Sequence, residues 1–230
     1  MSTPCIVITG AAGALGQAVA RHFHVAGATL ALVDRDAARL AQLYGTQART
    51  QLLVADVTAD ESVATAIAQV LQDQGRIDAL VHVAGGFEMG EGVHEITRAS
   101  WDRMMELNAW SFVNVARAVV PVMRAQRGGR IVAVSAAAAG EGQALKGAYC
   151  AAKSALQRLV ESLAQELRGE GIAVNSVAPT LLDTPANRAA MPQADRSDWV
   201  SLEAAAQVIA FLADVSAGAV QGQHLQLGAG

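Results

Sequence analysis

Residues 5–16, CIVITGAAGALG, constrain the fold more than any other stretch of the chain. Cys5, Ile6, Val7 and Ile8 form a continuous apolar run, the pattern of a parallel strand covered on both faces. Gly10, Gly13 and Gly16 follow at once, and a helical pattern runs on through Ala28. Such a turn lets backbone N–H groups approach a pyrophosphate at a helix N-terminus, where the dipole favours negative charge. A glycine cluster alone is equally compatible with a plain strand-to-helix turn. Asp34 narrows the choice. It ends the next apolar strand, ATLALVD, eighteen residues after Gly16, about where a carboxylate meets an adenosine ribose.

Strand and helix patterns alternate over the whole length. Strands are expected at 5–9, 29–34, 51–55, 79–84, 130–135, 173–177 and 223–227, and helices at 14–27, 36–44, 60–74, 99–126, 148–169 and 201–213. This alternation predicts an α/β fold, a doubly wound parallel sheet of about seven strands with helices on both faces. Right-handed crossovers place the carboxyl ends of all strands on one rim, where ligands bind. No repeat, linker or low-complexity segment divides residues 1–230, so a single domain is expected. The stretch from Pro179 to Trp199 lacks clear periodicity, and a long irregular loop in a compact domain is usually functional. A substrate loop is therefore expected at about 180–200.

Composition narrows the function classes. Hydrophobic residues make up 52% of the chain and aromatic ones only 4%, which suits Ala, Val and Leu packing helices closely on a sheet. A net charge of −4 without a basic run argues against a nucleic-acid partner. No apolar stretch reads as a membrane span, and MSTP leads into the first strand without a basic leader. Cys5 and Cys150 sit in apolar surroundings and read as reduced core residues of a cytoplasmic protein. The five histidines show no metal pattern: His22 and His24 point to different faces of a helix, with no carboxylate or cysteine cluster beside them.

Three further sites are candidates. Asp56 closes the third strand in LLVADVT, and reads either as an adenine-binding carboxylate or as a turn or helix-capping aspartate. VHVAGG, residues 81–86, ends the fourth strand with two glycines on the ligand rim. They let a cofactor lie against the backbone, or they make a turn. Tyr149 and Lys153, in GAYCAAKSAL, stand four residues apart and share a helix face. A tyrosine near its ordinary pKa of about 10 is a poor base. A neighbouring ammonium stabilises the phenolate and brings proton transfer nearer to neutral pH.

With TGAAGALG at 9–16, Asp34, Asp56, AGG at 84–86, Asn108, Tyr149 with Lys153, and NSVAPTLLDT at 175–184, the chain resembles the short-chain dehydrogenase/reductase family over nearly its whole length. The resemblance implies a Rossmann-type domain that transfers hydride between a nicotinamide dinucleotide and a small-molecule substrate. Tyr149 would donate or accept the proton. Lys153 would hold the nicotinamide ribose and lower the tyrosine pKa, and Asn108 would position a relay water. Thr184 would meet the nicotinamide carboxamide. Gly10, Gly13, Leu15, Gly16, Asp34, Arg35, Asp56, Val57, Ala84, Gly85, Pro179 and Leu182 would complete the cofactor site with Tyr149, Lys153 and Thr184. The family commonly self-associates, and a homodimer or homotetramer is expected through helices 99–126 and 148–169, which are rich in small residues.

Four positions depart from the family pattern. Ala14 stands at the middle glycine of TGxxxGxG, Val83 at the asparagine before the AG pair, and Thr180 at the glycine after Pro179. Ala136 occupies the catalytic-serine position, thirteen residues before Tyr149, with Ser135 adjacent. The quinonoid dihydropteridine reductases of the family are similar to this chain in GALG, in VAGG and in lacking the serine. They also share a loop like LDTPANRAAMPQAD, 182–195, ahead of a tryptophan such as Trp199. Asn108 follows the wider family instead. Three functions are thus open to the sequence: a reductase of a conjugated, quinonoid acceptor, an ordinary carbonyl or alcohol enzyme, and a non-catalytic dinucleotide sensor.

NAD(H) is the expected cofactor, with NADP(H) admitted if Arg35 swings in. A 2′-phosphate about 4 Å from Asp34 would be repelled by about 4 kcal/mol at an effective dielectric near 20. Equilibrium binding should therefore give a lower Kd for NADH than for NADPH. Equal dissociation constants would remove Asp34 from that role.

Overall fold

The computed structural model describes residues 3–45 and 47–228; Thr46 and the outermost residues of the expected 1–230 domain lie outside it. The apolar runs become seven parallel strands: β1 (Cys5–Thr9), β2 (Thr29–Asp34), β3 (Thr50–Val54), β4 (Ala79–His82), β5 (Gly129–Val134), β6 (Ile172–Pro179) and β7 (His224–Leu227). Their order is β3-β2-β1-β4-β5-β6-β7. The inner strands β1, β4, β5 and β6 are buried along their whole length, whereas the edge strands β3 and β7 are largely half-exposed. That contrast is why the inner strands read as unbroken apolar runs.

Val7 of β1 faces Ala31 of β2 on one side and Leu80 of β4 on the other. The chain winds outward from β1 to β3, then returns to the other side of β1. A crevice opens at that reversal, beyond the carboxyl ends of β1 and β4. Helices α1 (Ala14–Val25), α2 (Ala37–Tyr44) and α3 (Asp60–Gln74) follow the first three strands. Leu15, Val19 and Leu40 pack on one face of the sheet with Ile209 and Leu212 of the later helix α8 (Leu202–Ala213). Val70, Phe112, Met123, Leu156 and Val160 fill the other face.

Two segments differ from the sequence expectation. The helix expected at 99–126 is α4 (Arg98–Met105), a π-helical turn (Glu106–Trp110) and α5 (Ser111–Gln126). Apolar periodicity averages over one extra residue, so this widened turn leaves little trace in it. The stretch after Pro179 contains a short helix, α7 (Pro185–Ala190), whose entry Thr184 caps by accepting from the Asn187 N–H. Thr followed by Pro is an N-cap and first-turn signal that was readable from sequence. Helix α6 (Gly147–Glu166) carries Tyr149 and Lys153. Among the described residues, no helix is long and apolar enough to cross a membrane.

Candidate active site at the β1–β4 crevice

The floor of the crevice is backbone. Gly10 has φ +68°, and a Cβ there would lie 2.7 Å from the Ala84 amide nitrogen. Gly16 is buried behind the turn, where a Cβ would meet the Gly10 carbonyl at 2.2 Å. Gly13 begins α1 with no side-chain cap, so the first-turn N–H groups and the positive end of the helix dipole lie at the crevice. Ala14 opens the helix beside them. A cavity of about 330 Å³ is lined here by Gly10, Gly13, Ala14, Leu15, Asp34, Val83, Ala84, Gly85, Val134, Leu182 and Thr184.

Asp34 is held from two sides. One carboxylate oxygen accepts the Ala12 N–H at 2.9 Å, and the other accepts the Asp36 N–H at 3.2 Å. Tyr44 supports the same turn from below, donating its hydroxyl to the Ala11 carbonyl at 2.6 Å. Burial first, and the charge of Asp34 second, push the Tyr44 hydroxyl up to about 12. Asp56 is a turn aspartate: it accepts from the Thr58 N–H at 2.9 Å and the Thr58 hydroxyl at 2.8 Å. Those bonds hold its carboxyl below the usual range, with a smaller contribution from Arg35. Asn114 donates to the Val57 and Thr58 carbonyls. Gly16, Arg35, Asp56, Val57 and the buried Pro179 stand outside the cavity wall itself.

Behind Gly85 lies a polar layer. A Cβ on Gly85 would stand 2.8 Å from Asn108 Oδ1 and 3.3 Å from Lys153 Nζ. Asn108 is fully buried in the π turn, where its Nδ2 donates to the Met104 carbonyl at 3.0 Å and its Oδ1 accepts the Gly86 N–H at 3.1 Å. Lys153 donates to the Val134 carbonyl at 3.0 Å. Desolvation brings its ammonium down to about 8. Its Nζ stands 6.0 Å from the centre of the Tyr149 ring. Burial, with Cys150 a lesser cause, pushes the Tyr149 hydroxyl up to about 12. Burial sets the direction here, so the depressed tyrosine expected from sequence is not what the geometry gives. Phe87 meets the Tyr149 ring edge-on, with centroids 4.9 Å apart.

The two candidates for a second hydroxyl separate clearly. Ser135 is buried and donates to the Lys153 carbonyl at 3.4 Å, on the sheet–helix side. Ala136 has an extended backbone and packs with Ala138 and Cys150 against Tyr149. The residue facing the tyrosine is therefore a methyl group.

Sequence reasoning missed Tyr44, Phe87 and His82. His82 is fully buried at the end of β4, between Thr9 Oγ1 at 2.9 Å and Ser111 Oγ at 3.2 Å. Its imidazole is pushed down to about 3 by burial first and by Lys153 second. A histidine inside an apolar strand must find partners, and that was the available signal.

The residues fit a nicotinamide dinucleotide. Side chains are excluded from the floor at Gly10 and Gly85, a helix N-terminus opens onto it, and a fixed carboxylate stands at the end of β2. Among the described residues, no group of three or more metal-ligating side chains occurs. A second concavity, about 340 Å³, lies between α5 and α6 and is lined by Phe112, Ala116, Val120, Pro121, Leu159 and Leu163 with Arg117 and Glu166; it shares no residue with the crevice.

The short chain dehydrogenase family model matches residues 4–195. The 3-oxoacyl-(acyl-carrier-protein) reductase FabG of Thermotoga maritima is 31% identical over 236 aligned positions, covering 97% of this chain and 96% of that protein. A solved oxidoreductase of the short chain dehydrogenase/reductase family from Burkholderia thailandensis superposes with a TM-score of 0.88 at 30% identity, over 98% of this chain and 91% of that one. A 3-ketoacyl-(acyl-carrier-protein) reductase from Brucella melitensis, solved with NADH, gives a TM-score of 0.89 at 24% identity over 99% and 97% of the two chains. At that identity the likeness concerns the fold.

Lys153 makes the site costly to fold. Its folded pKa of about 8 lies below its ordinary 10.5. Below pH 8 both states are charged, and the folded state bears the full desolvation penalty. Between 8 and 10.5 the unfolded chain keeps a proton that the folded chain has released, so stability rises with pH across that window. The penalty is about 3 kcal/mol, and losing the Val134 bond offsets about 1 kcal/mol of any gain. Lys153→Met should therefore be more stable than the parent at pH 7, with the advantage shrinking toward pH 10.5. Denaturant titrations at both pH values measure it, and a constant gap would contradict the buried-charge account.

Proposed function

The chain belongs to the short chain dehydrogenase family and is an NAD(P)-dependent oxidoreductase; from that premise, we propose that it reduces a conjugated, quinonoid pterin-like acceptor with NADH. The nicotinamide supplies the hydride when bound. Tyr149 supplies the accompanying proton from its hydroxyl, and its raised pKa keeps that proton in place at neutral pH. Lys153 and Asn108 line the wall behind Gly85 and orient the ribose side of the site. Thr184 and Leu182 border the crevice at the start of the 180–200 loop. Asp34 supports NAD(H) over NADP(H): with both oxygens bonded to backbone amides, it cannot rotate away from a 2′-phosphate without breaking them.

Ala136 carries the choice of acceptor. An unconjugated ketone concentrates charge on one oxygen as it is reduced, and losing one preorganised donor costs about 10²–10³ in rate. An acceptor that spreads the incoming charge over a ring depends less on that contact. Phe87, standing edge-on to Tyr149, adds an aromatic neighbour for a flat ring. An ordinary carbonyl reductase is the second reading, supported by the likeness to the Thermotoga maritima enzyme along nearly the full length. The non-catalytic sensor is disfavoured, because a pure binder has no use for Tyr149, Lys153 and Asn108 gathered around Gly85.

Self-association belongs to the proposal as well, through the apolar concavity between α5 and α6, which a second copy would cover. A strict monomer by sedimentation at micromolar concentration would remove it. Two free, buried cysteines support a reducing, cytoplasmic setting.

Ala136→Ser tests the acceptor. Reduction of quinonoid dihydropteridine should stay within a few-fold of the parent, while reduction of an unconjugated ketone should improve by up to about 10²-fold. Ser135→Ala should leave both nearly unchanged. Efficient ketone reduction by the parent, lost in Ser135→Ala, would sink the conjugated-acceptor reading in favour of the ordinary one.

A further inference from the structure

His82 is a buried titratable group that the reaction above leaves unused, and its bonds have a direction. The Ser111 hydroxyl has one hydrogen, and it donates to the Leu107 carbonyl at 2.8 Å. Ser111 Oγ can therefore only accept at the 3.2 Å contact with His82 Nε2, which puts the ring hydrogen on Nε2. His82 Nδ1 is then an acceptor, and Thr9 Oγ1, 2.9 Å away, must donate to it. That leaves the Thr9 oxygen to accept the Ala84 N–H at 3.4 Å. The opposite tautomer would set two lone pairs against each other at Ser111 and two donors on Thr9 Oγ1. One chain thus runs Ala84 N–H, Thr9, His82, Ser111, Leu107 C=O, with every hydrogen pointing the same way.

We propose, on the cofactor reading above, that His82 is a positioning residue whose Nε2–H tautomer ties the cofactor-facing end of β4 to the π turn, so that the Ala84–Gly85 floor and the Asn108 wall are set together. Both ends of the chain matter to the site. Ala84 packs against Gly10 and precedes Gly85, on which an added Cβ would meet Asn108 and Lys153. Leu107 precedes Asn108 within the widened turn. Satisfied buried networks of this kind rigidify and specify one arrangement. Because the chain ends on a carbonyl, it cannot pass a proton onward; its contribution is geometry. The ring is further fixed by an edge contact with Phe112, with centroids 5.8 Å apart.

Imidazole ¹⁵N spectra of the full chain read the tautomer. A single Nε2–H form is expected at neutral pH, and an exchanging mixture would overturn the directional chain. NADH binding reads the coupling, with the dinucleotide alone so that no acceptor is involved. Ser111→Ala cuts the far end and changes no residue of the cavity wall. It should weaken NADH binding about fivefold, a coupling typical within one hydrogen-bond network. Thr9→Val cuts the near end, and adding Ser111→Ala to it should cost less than about twofold more. His82→Phe keeps the ring packing and should match that double variant. His82→Gln can accept from Thr9 and donate to Ser111, so it should return to within about threefold of the parent. Its recovery separates positioning from general loss of folding. Unchanged NADH affinity in Ser111→Ala, or losses that multiply in the double variant, would defeat the coupling. If the parent itself failed to bind NADH, the cofactor reading would fall. Amide exchange at Ala84 would then decide the chain: it should quicken in Ser111→Ala, and an unchanged rate would count against it.

Discussion

At the carboxyl ends of β1 and β4, Gly10 and Ala84 approach so closely that one added carbon on Gly10 would lie 2.7 Å from an amide nitrogen. The crevice depends on that approach. Because β1 and β4 are neighbours in the sheet but far apart in the chain, their ends can be drawn together only where both lack bulk. Gly10 turns the chain toward α1 at a positive φ that other residues adopt at a cost, and Gly16 lets the helix lie against the turn. Farther along, Gly85 leaves the space that Asn108 and Lys153 approach from behind. The sheet order and the glycines are thus parts of one arrangement.

Three buried polar groups beside this crevice find uncharged partners close by. Lys153 uses the Val134 carbonyl, Asn108 uses Met104 and Gly86, and His82 uses two hydroxyls. A backbone carbonyl compensates burial less fully than a carboxylate would, so Lys153 is depressed, while burial itself raises Tyr149. Strained electrostatics of this sort cluster at functional sites. Burial thus holds a proton on the tyrosine while it tends to remove one from the lysine.

Ala136, just past the end of β5, puts a methyl group beside Tyr149 while leaving the architecture intact. Ser135 and Ala136 follow β5 and point different ways, and the hydroxyl of Ser135 is committed to the Lys153 carbonyl. The π turn makes a comparable point for Asn108. Inserting a residue into the helix frees carbonyls, and the side chains of Asn108 and Ser111 take up those of Met104 and Leu107. A side-chain amide is thereby anchored behind Gly85 and Gly86 instead of being spent on the helix surface.

The parallel sheet, the strand limits to within a few residues, the glycine turn, Asp34 at the end of β2 and the pairing of Tyr149 with Lys153 on one helix were all legible in the sequence. They rest on local pattern: apolar runs, glycine spacing and a four-residue helical repeat. The division of helix 99–126 by a π turn was not legible, because periodicity averages over a single inserted residue. Nor was the loop helix at Pro185–Ala190 read, although Thr184 and Pro185 signal it. The elevation of Tyr149 depends chiefly on how deeply it is buried, which spacing does not encode. The partners of His82 come from three separate segments, so only the assembled fold could bring Thr9, Ser111 and Leu107 to one imidazole. Sequence determined the glycine turn and the carboxylate at the end of β2, since both rest on local pattern. Tertiary structure decided the protonation and orientation of the groups beside it, because desolvation and hydrogen-bond direction exist only between segments that folding brings together.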